Sequence, residues 1–315
     1  MAQKPFGSGR SFLEAVGKPL RKSVSLRRHS SFRIGGRADY FFSAETAREL
    51  EDCLCFARDR GIHHYVIGAG TNLLFDDEGF RGLIIKNEIK GISRKSGQRL
   101  IRVRTGTSLA ELVEFSREEG LTGLEFAAGI PGTVGGAVFG NAGAWGSSIG
   151  QRLIRAVVLD GSGAAVRVDN AFFEFGYRQS VLKKRHLAVL EAVLDLRKGD
   201  RTLIQERIQE TLAKRRAPCP SEKMAYCGSF FKNPVLPDGT KLAAGRLLEE
   251  VGAKELRVGG AAVYSGHANF IINRGRATAA DVLGLAREMK ARVRRKFGIS
   301  LEEEVICLPS TPAAL

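Results

Sequence analysis

The 315-residue chain has no apolar run approaching the ~18 residues of a membrane span, which excludes an integral helix bundle. Its first 32 residues, MAQKPFGSGRSFLEAVGKPLRKSVSLRRHSSF, are basic and lack a continuous apolar core, so they do not read as a secretory signal. The five cysteines, Cys53, Cys55, Cys219, Cys227 and Cys307, form no CxxC pair and no metal-ligand spacing. Reduced thiols in a cytoplasmic protein without a metal centre are therefore expected. No internal repeat and no low-complexity segment occurs. Two nucleotide-binding motifs also fail. No GxxxxGK[ST] phosphate loop is present, and Gly68-x-Gly70 is followed by Leu73 where a dinucleotide fingerprint requires a third glycine.

What the chain has in excess is positive charge, +15, on an otherwise ordinary globular composition of 43% hydrophobic and 26% charged residues. Anionic partners fit that balance: nucleic acid, acidic lipid or phosphorylated small molecules. The basic clusters, Leu20–Arg28, Lys183–Arg185, Lys214–Arg216 and Arg292–Lys296, are scattered rather than interleaved with aromatics in one patch. Small nucleotide-type ligands are thus expected, and nucleic acid is not.

Apolar periodicity and end signals predict a mixed α and β chain with antiparallel hairpins as well as βαβ-like units. Strands are expected at Ala38–Phe42, His64–Ile67, Leu83–Lys86, Leu100–Arg104, Ile154–Asp160, Ala165–Val168 and Leu187–Leu196, with Gly161-Ser162-Gly163 as a hairpin turn. Helices are expected from an N-cap at Ser43 to about Arg60, from Ser108 with the capping box Ser108-x-x-Glu111, and over Thr202–Arg216, Lys241–Val251 and Ala279–Phe297. Pro218, Pro220 and Pro234 bracket a change of register and place a domain boundary near them.

Three segments draw attention as chemistry. Gly68–Asn72 follows a strand, and glycine there lets the backbone approach a ligand with its N–H groups turned inward. It reads equally as a pyrophosphate loop or as a tight turn. In Gly129–Gly150, eight of 22 residues are glycine, alternating with Ile130, Val134, Ala137, Val138, Phe139 and Trp145. That is unlike a polar linker. It fits an ordered, tightly packed loop, either structural or pressed against a large flat ligand. In CGSFFKNP, residues 227–234, either Ser229 or Cys227 could be reactive, or the stretch could be a strand entering a turn. As a strand it would put both on one face.

Taken in order, eight motifs resemble one family, the UDP-N-acetylenolpyruvylglucosamine reductases, the MurB flavoenzymes of peptidoglycan synthesis. They are SFRIGGRAD (31–39), VIGAGTNLLF (66–75), GLEFAAGIPGTVGGAV with NAGAWG (123–146), FGYRQS (175–180), CGSFFKNP (227–234), AAGRLLEEVGAK (243–254), GGAAV with HANFIIN (259–273) and FGISLEEEV (297–305). The resemblance implies an α+β fold: an FAD-binding fold of the vanillyl-alcohol-oxidase type in two subdomains, 1–67 and 68–205, and a C-terminal α+β substrate-binding domain, 206–300, with 301–315 returning near the active site. It implies non-covalent FAD, since no histidine lies in the glycine loop, and NADPH as hydride donor. The implied reaction reduces UDP-N-acetylglucosamine enolpyruvate to UDP-N-acetylmuramate in the cytoplasm. No oligomeric state is specified.

By the same resemblance, Gly68, Ala69, Gly70, Thr71, Asn72 and Leu73 would hold the FAD pyrophosphate. Gly129, Ile130, Pro131, Gly132, Thr133 and Gly135, with Asn141, Ala142 and Gly143, would lie along the flavin. Arg178 matches the arginine that pairs with the substrate carboxylate and enolate, as a planar guanidinium suits. Glu304 matches the glutamate that helps polarise the enol. Ser229 matches the proton donor, where position counts for more than acidity. Lys232, Asn233, His267 and Tyr177 match substrate-side positions, and Lys214, Arg215 and Arg216 either meet phosphates or are a solvated helix end. Cys227 reads as a small packed thiol. The chain departs from the family at Arg37, Trp145 and Cys219-Pro220. Only 37 residues separate Arg178 from Arg215, too few for the tyrosine-bearing loop of one subgroup, so the subgroup without it is expected. Another FAD-dependent oxidoreductase of the same fold, or a non-redox nucleotide-binding protein, are the alternatives.

Overall fold

The computed structural model describes residues 11–160, 163–185, 187–221 and 223–311. The chain forms two compact units. One comprises the chain to Ser23 with Tyr40–Ala69 and Gly82–Ala213; the other gathers Val24–Asp39, Gly70–Arg81 and Lys214–Leu315.

The first unit is built on two sheets. In one, His64–Ile67 pairs in parallel with the stretch Leu83–Lys86. Between the strands Arg37–Ala44 and His64–Ile67 runs the helix Ala47–Asp59, which buries Leu50, Cys53, Phe56 and Ala57. Its N-cap is Thr46, whose Oγ1 accepts the Glu49 N–H at 3.2 Å, and not Ser43. The preceding strand continues through Ser43 to Ala44, because Phe41, Phe42 and Ala44 are all buried. The other sheet has five antiparallel strands in the order Ala165–Asp169, Leu153–Leu159, Ala188–Asp195, Leu100–Arg104, Ile92–Arg94. Its hairpin residues Gly161 and Ser162 lie outside the described residues. The Ser108 capping box forms as expected, with Glu111 reaching back to the Ser108 N–H at 2.9 Å.

The second unit centres on a four-stranded antiparallel sheet, Ala225–Tyr226, Ile271–Asn273, Ala261–Val263, Arg257–Val258. The helix Ala279–Phe297 packs on this core through Val282, Leu285, Ala286, Met289 and Val293, an i, i+3, i+4 stripe. Thr278 caps it, its side chain accepting the Asp281 N–H. The other expected helix is shorter: it spans Ala244–Glu250, because Asn233 Oδ1 accepts the Ala244 N–H at 3.0 Å and fixes the start there. A short parallel pair, Leu73–Phe75 with Ile306–Leu308, returns the C-terminal segment to the Gly70–Leu73 stretch.

Candidate active site

In the first unit the glycine-rich segment is stitched down at its start. Gly132 O accepts from Leu109 N at 3.0 Å, and the N–H groups of Val134 and Gly135 donate to Thr107 and Thr105 carbonyls at 2.9 Å each. Such anchoring allows a regular element where the sequence reading expected only a packed loop. Val134–Gly140 is a helix, capped by Thr133, whose Oγ1 accepts the Gly136 N–H at 3.2 Å. Val134, Ala137 and Val138 face the core, so the glycines fall on the other side. There, Gly129 and Gly136 are exposed, and a Cβ added at Gly140 would meet nothing. A Cβ on Gly68, by contrast, would run into the Thr133 hydroxyl, which brings the end of the strand His64–Ile67 against the capping residue. Gly68, Ala69, Gly129–Gly135 and Asn141–Gly143 thus belong to one unit, and at Gly129 and Gly136 the backbone itself is exposed, which lets a ligand approach it closely.

Asn141 ends this helix in the left-handed region (φ 44°). Its side chain is used inside the fold: Nδ2 donates to Gly176 O at 2.8 Å and Oδ1 accepts from Gly150 N at 3.1 Å. The FGYRQS turn is tied to the same helix a second time by Ser180 Oγ, which donates to Phe139 O at 2.7 Å. Between these ties sits Arg178, itself left-handed at φ 56°. Its Nη1 donates to Gly143 O at 2.9 Å, and its guanidinium lies 5.5 Å from the centre of the Tyr177 ring. Tyr177 is exposed. Arg178 and Tyr177 are therefore held beside Asn141, Ala142 and Gly143.

In the second unit, CGSFFKNP is not a strand. Gly228 turns the chain at φ 72°, leaving Cys227 buried and Ser229 half-buried, so the common face expected of a strand does not exist. The Cys227 thiol lies 3.2 Å from Ser31 Oγ and donates to Leu73 O at 3.3 Å, and burial pushes its pKa up to about 11. It is a packed thiol. Phe230 and Phe231 are both buried in the core and anchor Ser229; each such ring contributes about 1.5–3 kcal/mol.

The LEEEV segment is pinned between this stretch and the Gly70–Leu73 loop. Glu304 N donates to Phe230 O at 2.8 Å, while Asn72 Nδ2 donates to Glu304 O at 3.0 Å and Ile306 N to Asn72 O at 3.0 Å. Ser229, Glu304 and Asn72 are thereby gathered. Gly70 takes φ 69°, and its carbonyl accepts from Ser31 N at 3.1 Å. The three consecutive glutamates separate by partner. Glu302 lies 3.0 Å from Lys232 Nζ and Glu303 lies 2.9 Å from Lys290 Nζ, while the Glu304 backbone bonds to Phe230, the residue after Ser229. Of the expected substrate-side donors, Lys232 is thus engaged with Glu302, and the Asn233 Oδ1 caps a helix. Lys214, Arg215 and Arg216 form the basic last turn of the helix Arg201–Arg216.

His267 is half-buried against Phe270, ring centres 5.1 Å apart. Its Nδ1 accepts the Asn269 N–H at 3.1 Å, which requires that nitrogen unprotonated, and burial lowers its pKa. The sequence reading passed over Asn269. Buried at 3%, it holds Phe231 by both N–H and C=O. A buried asparagine between a histidine and a phenylalanine in HANFIIN was the available signal, since buried amides must be paired.

Comparison with known proteins adds two matched family models: "FAD binding domain" over residues 38–169, and "UDP-N-acetylenolpyruvoylglucosamine reductase, C-terminal domain" over residues 220–308. The chain is 40% identical over 298 residues to UDP-N-acetylenolpyruvoylglucosamine reductase 2 of Symbiobacterium thermophilum, covering 94% of each chain. It is 42% identical over 280 residues to the reductase of Moorella thermoacetica, covering 89% of this chain and 90% of that one. The crystal structure of UDP-N-acetylenolpyruvylglucosamine reductase (MurB) from Thermus caldophilus superposes with a TM-score of 0.77 at 34% identity, covering 92% of this chain and all of the other.

Proposed function

The chain belongs to the UDP-N-acetylenolpyruvoylglucosamine reductase family, and from that premise we propose that it uses FAD to reduce UDP-N-acetylglucosamine enolpyruvate to UDP-N-acetylmuramate for peptidoglycan synthesis, with NADPH as reductant. The reading rests above all on the locking of Glu304 to Phe230, the residue after Ser229. A flavin-binding fold alone does not call for that pairing, whereas an enol reduction needs a proton donor and a polarising group held in fixed relation.

Bound FAD supplies hydride transfer from NADPH to the enolpyruvyl methylene carbon; Gly68–Leu73 would hold its pyrophosphate and Gly129–Gly135 with Asn141–Gly143 would flank its ring. Arg178 pairs its planar guanidinium with the substrate carboxylate, and so stabilises the negative charge that develops beside it. Its backbone, tied through Lys183 Nζ to Arg178 O at 2.7 Å, keeps that group from swinging away. Ser229 Oγ delivers the proton to the carbon next to the carboxylate. Glu304 orients the polar groups around the enol. Lys232, Asn233, His267 and Tyr177 line the substrate side, the first through an ammonium whose partner, Glu302, is largely solvent-exposed and so exchangeable for a phosphate. We place the reaction in the cytoplasm, which suits five free cysteines. No helix among the described residues is long and apolar enough to cross a membrane.

Anaerobic stopped-flow absorbance near 450 nm tests the reading. NADPH should bleach the flavin, and UDP-N-acetylglucosamine enolpyruvate should restore the colour rapidly. Bleaching without a response to this substrate would point to another FAD-dependent oxidoreductase of the same fold. Protein that takes up no flavin would point to a non-redox nucleotide binder.

A further inference from the structure

The second unit contains a cavity of about 1020 Å³ that none of the roles above uses. Five cations line it: Arg27, Arg28, Arg33, Lys223 and Arg274. Among the described residues no aspartate or glutamate lines it, and none of the five is in an ion pair. This contrasts with the rest of the surface, where lysines and arginines commonly meet carboxylates, as in Lys18 with Glu45 and Arg246 with Glu250.

The cluster is built rather than incidental. Arg33 sits in the left-handed region, φ 54°, a conformation that costs a non-glycine residue energy and persists only where its surroundings impose it. Here they do. Arg33 N donates to Ser30 O at 3.0 Å, Phe32 N donates to Ser30 Oγ at 3.2 Å, and Arg27 Nε donates back to Arg33 O at 3.2 Å. One cation of the cluster thus fixes the backbone of another. The floor is neutral and saturated. Ser30 Oγ donates to Leu73 O at 2.8 Å, and Asn273 donates to Phe32 O while accepting from Gly275 N and Ala277 N at 2.8 and 3.0 Å. Asn273 in this way shapes the turn that bears Arg274. Among the described residues no carboxylate on the lining competes for the arginines, and Met224 and Ile272 add apolar surface. Like charges assembled without counter-charge repel one another, and an anion relieves that repulsion.

We propose that this cavity is a binding site for a pyrophosphate group, separate from the flavin and substrate sites. Arginine forks suit two adjacent phosphates, and the charge-assisted hydrogen bonds they make are the strong kind. The pyrophosphate could be free or carried by a nucleotide whose ring would rest on Met224 and Ile272.

The test uses the flavin-loaded full chain and calorimetric titration with inorganic pyrophosphate and with ADP, at ionic strength matched with sodium chloride. Both should bind the wild type. The triple variant Arg27→Gln/Arg28→Gln/Arg274→Gln should lose about tenfold or more in affinity for each, with flavin content at 450 nm and the KM for UDP-N-acetylglucosamine enolpyruvate unchanged. ADP binding tighter than pyrophosphate identifies a nucleotide as the occupant; equal affinities identify free pyrophosphate. Equal binding by variant and wild type overturns the proposal. So does a variant that loses flavin or raises the KM for the UDP-sugar, because the cavity would then be part of the active site. Lys223→Gln, on a residue exposed and outside any helix or strand, supplies a milder second variant should the triple one fail to fold. The calorimetric binding itself needs no turnover, so failure of pyrophosphate binding and failure of the assigned activity are distinguishable.

Discussion

Asn269 clasps Phe231 from both sides, its Nδ2 donating to the Phe231 carbonyl and its Oδ1 accepting the Phe231 N–H, each at 2.9 Å. Its own carbonyl accepts from Phe230 N at 2.8 Å. The residue after Ser229 and the one beyond it are therefore set by a single buried amide. Asn269→Ala leaves two buried backbone groups without partners, each costing about 1–3 kcal/mol. Urea unfolding should show a loss of that order. Flavin reduction by NADPH should be untouched, since Asn269 has no role in it, while substrate-driven reoxidation slows. Equal slowing of both half-reactions would argue against a positioning role.

Ser229→Ala removes the proposed proton donor without disturbing the packing of Phe230 and Phe231. General acid catalysis contributes about 10²–10⁴-fold. Reoxidation of the reduced enzyme by UDP-N-acetylglucosamine enolpyruvate should fall within that range, with the NADPH step at its wild-type rate. Reoxidation at an undiminished rate would remove Ser229 from the mechanism.

The main strands and the Ser108 capping box were legible because each depends on local signals: period and caps. What was not legible depends on contacts far apart in the chain. The helix expected from Lys241 begins at Ala244 because Asn233, eleven residues earlier, caps it. The glycine-rich segment folds as a helix because Thr105 and Thr107 take its first N–H groups, a pairing no propensity encodes. Cys227 and Ser229 part company through one left-handed glycine, a torsion that the spacing of the two residues does not reveal. The basic cavity was invisible for the same reason: its cations come from three stretches, residues 27–33, 223 and 274.

Gly68→Ala should weaken flavin retention through Thr133. The new methyl meets the Thr133 hydroxyl and displaces the cap of the glycine-bearing helix. A lost cap alone costs about 1 kcal/mol. Flavin content after gel filtration should fall in Gly68→Ala, fall less in Thr133→Ala, and recover partly in the double variant, where the clash is gone. A double variant no better than Gly68→Ala would show that Gly68 is needed for another reason.

His267 gives a pH prediction. Its folded pKa lies below the ordinary 6.5 because of burial, with Glu249 opposing the shift and Lys254 assisting it. The unfolded chain then binds the proton more readily, so the stabilising contribution is fully present above about pH 6.5 and is lost as the pH falls through the folded pKa. Protonation also removes the acceptor for the Asn269 N–H. Denaturation measured from about pH 7.5 down to about pH 5 should show wild-type stability declining more steeply than that of His267→Gln. The lowered carboxylates, Glu49 and Asp281 among them, titrate beneath this window. Parallel curves for the two proteins would mean that the imidazole proton is not coupled to folding.

Arg178→Lys separates charge from shape. Lysine keeps one positive charge but offers a point donor in place of a planar fork, so it cannot both hold Gly143 O and present two parallel N–H groups to a carboxylate. It would also lose the stacking of the guanidinium on Tyr177. The left-handed backbone at this position is no harder for lysine than for arginine, so the fold should persist with an unchanged melting temperature. The reoxidation step should slow by about 10²-fold, in line with removal of one preorganised electrostatic contact, and the apparent affinity for the enolpyruvyl substrate should fall with it. Arg178→Gln, which lacks the charge, should be slower still. If lysine proves as good as arginine, the residue acts only as a positive charge, and the bidentate carboxylate contact assigned to it is wrong. If both variants lose rate but keep affinity, Arg178 stabilises the developing enolate and contributes nothing to ground-state binding.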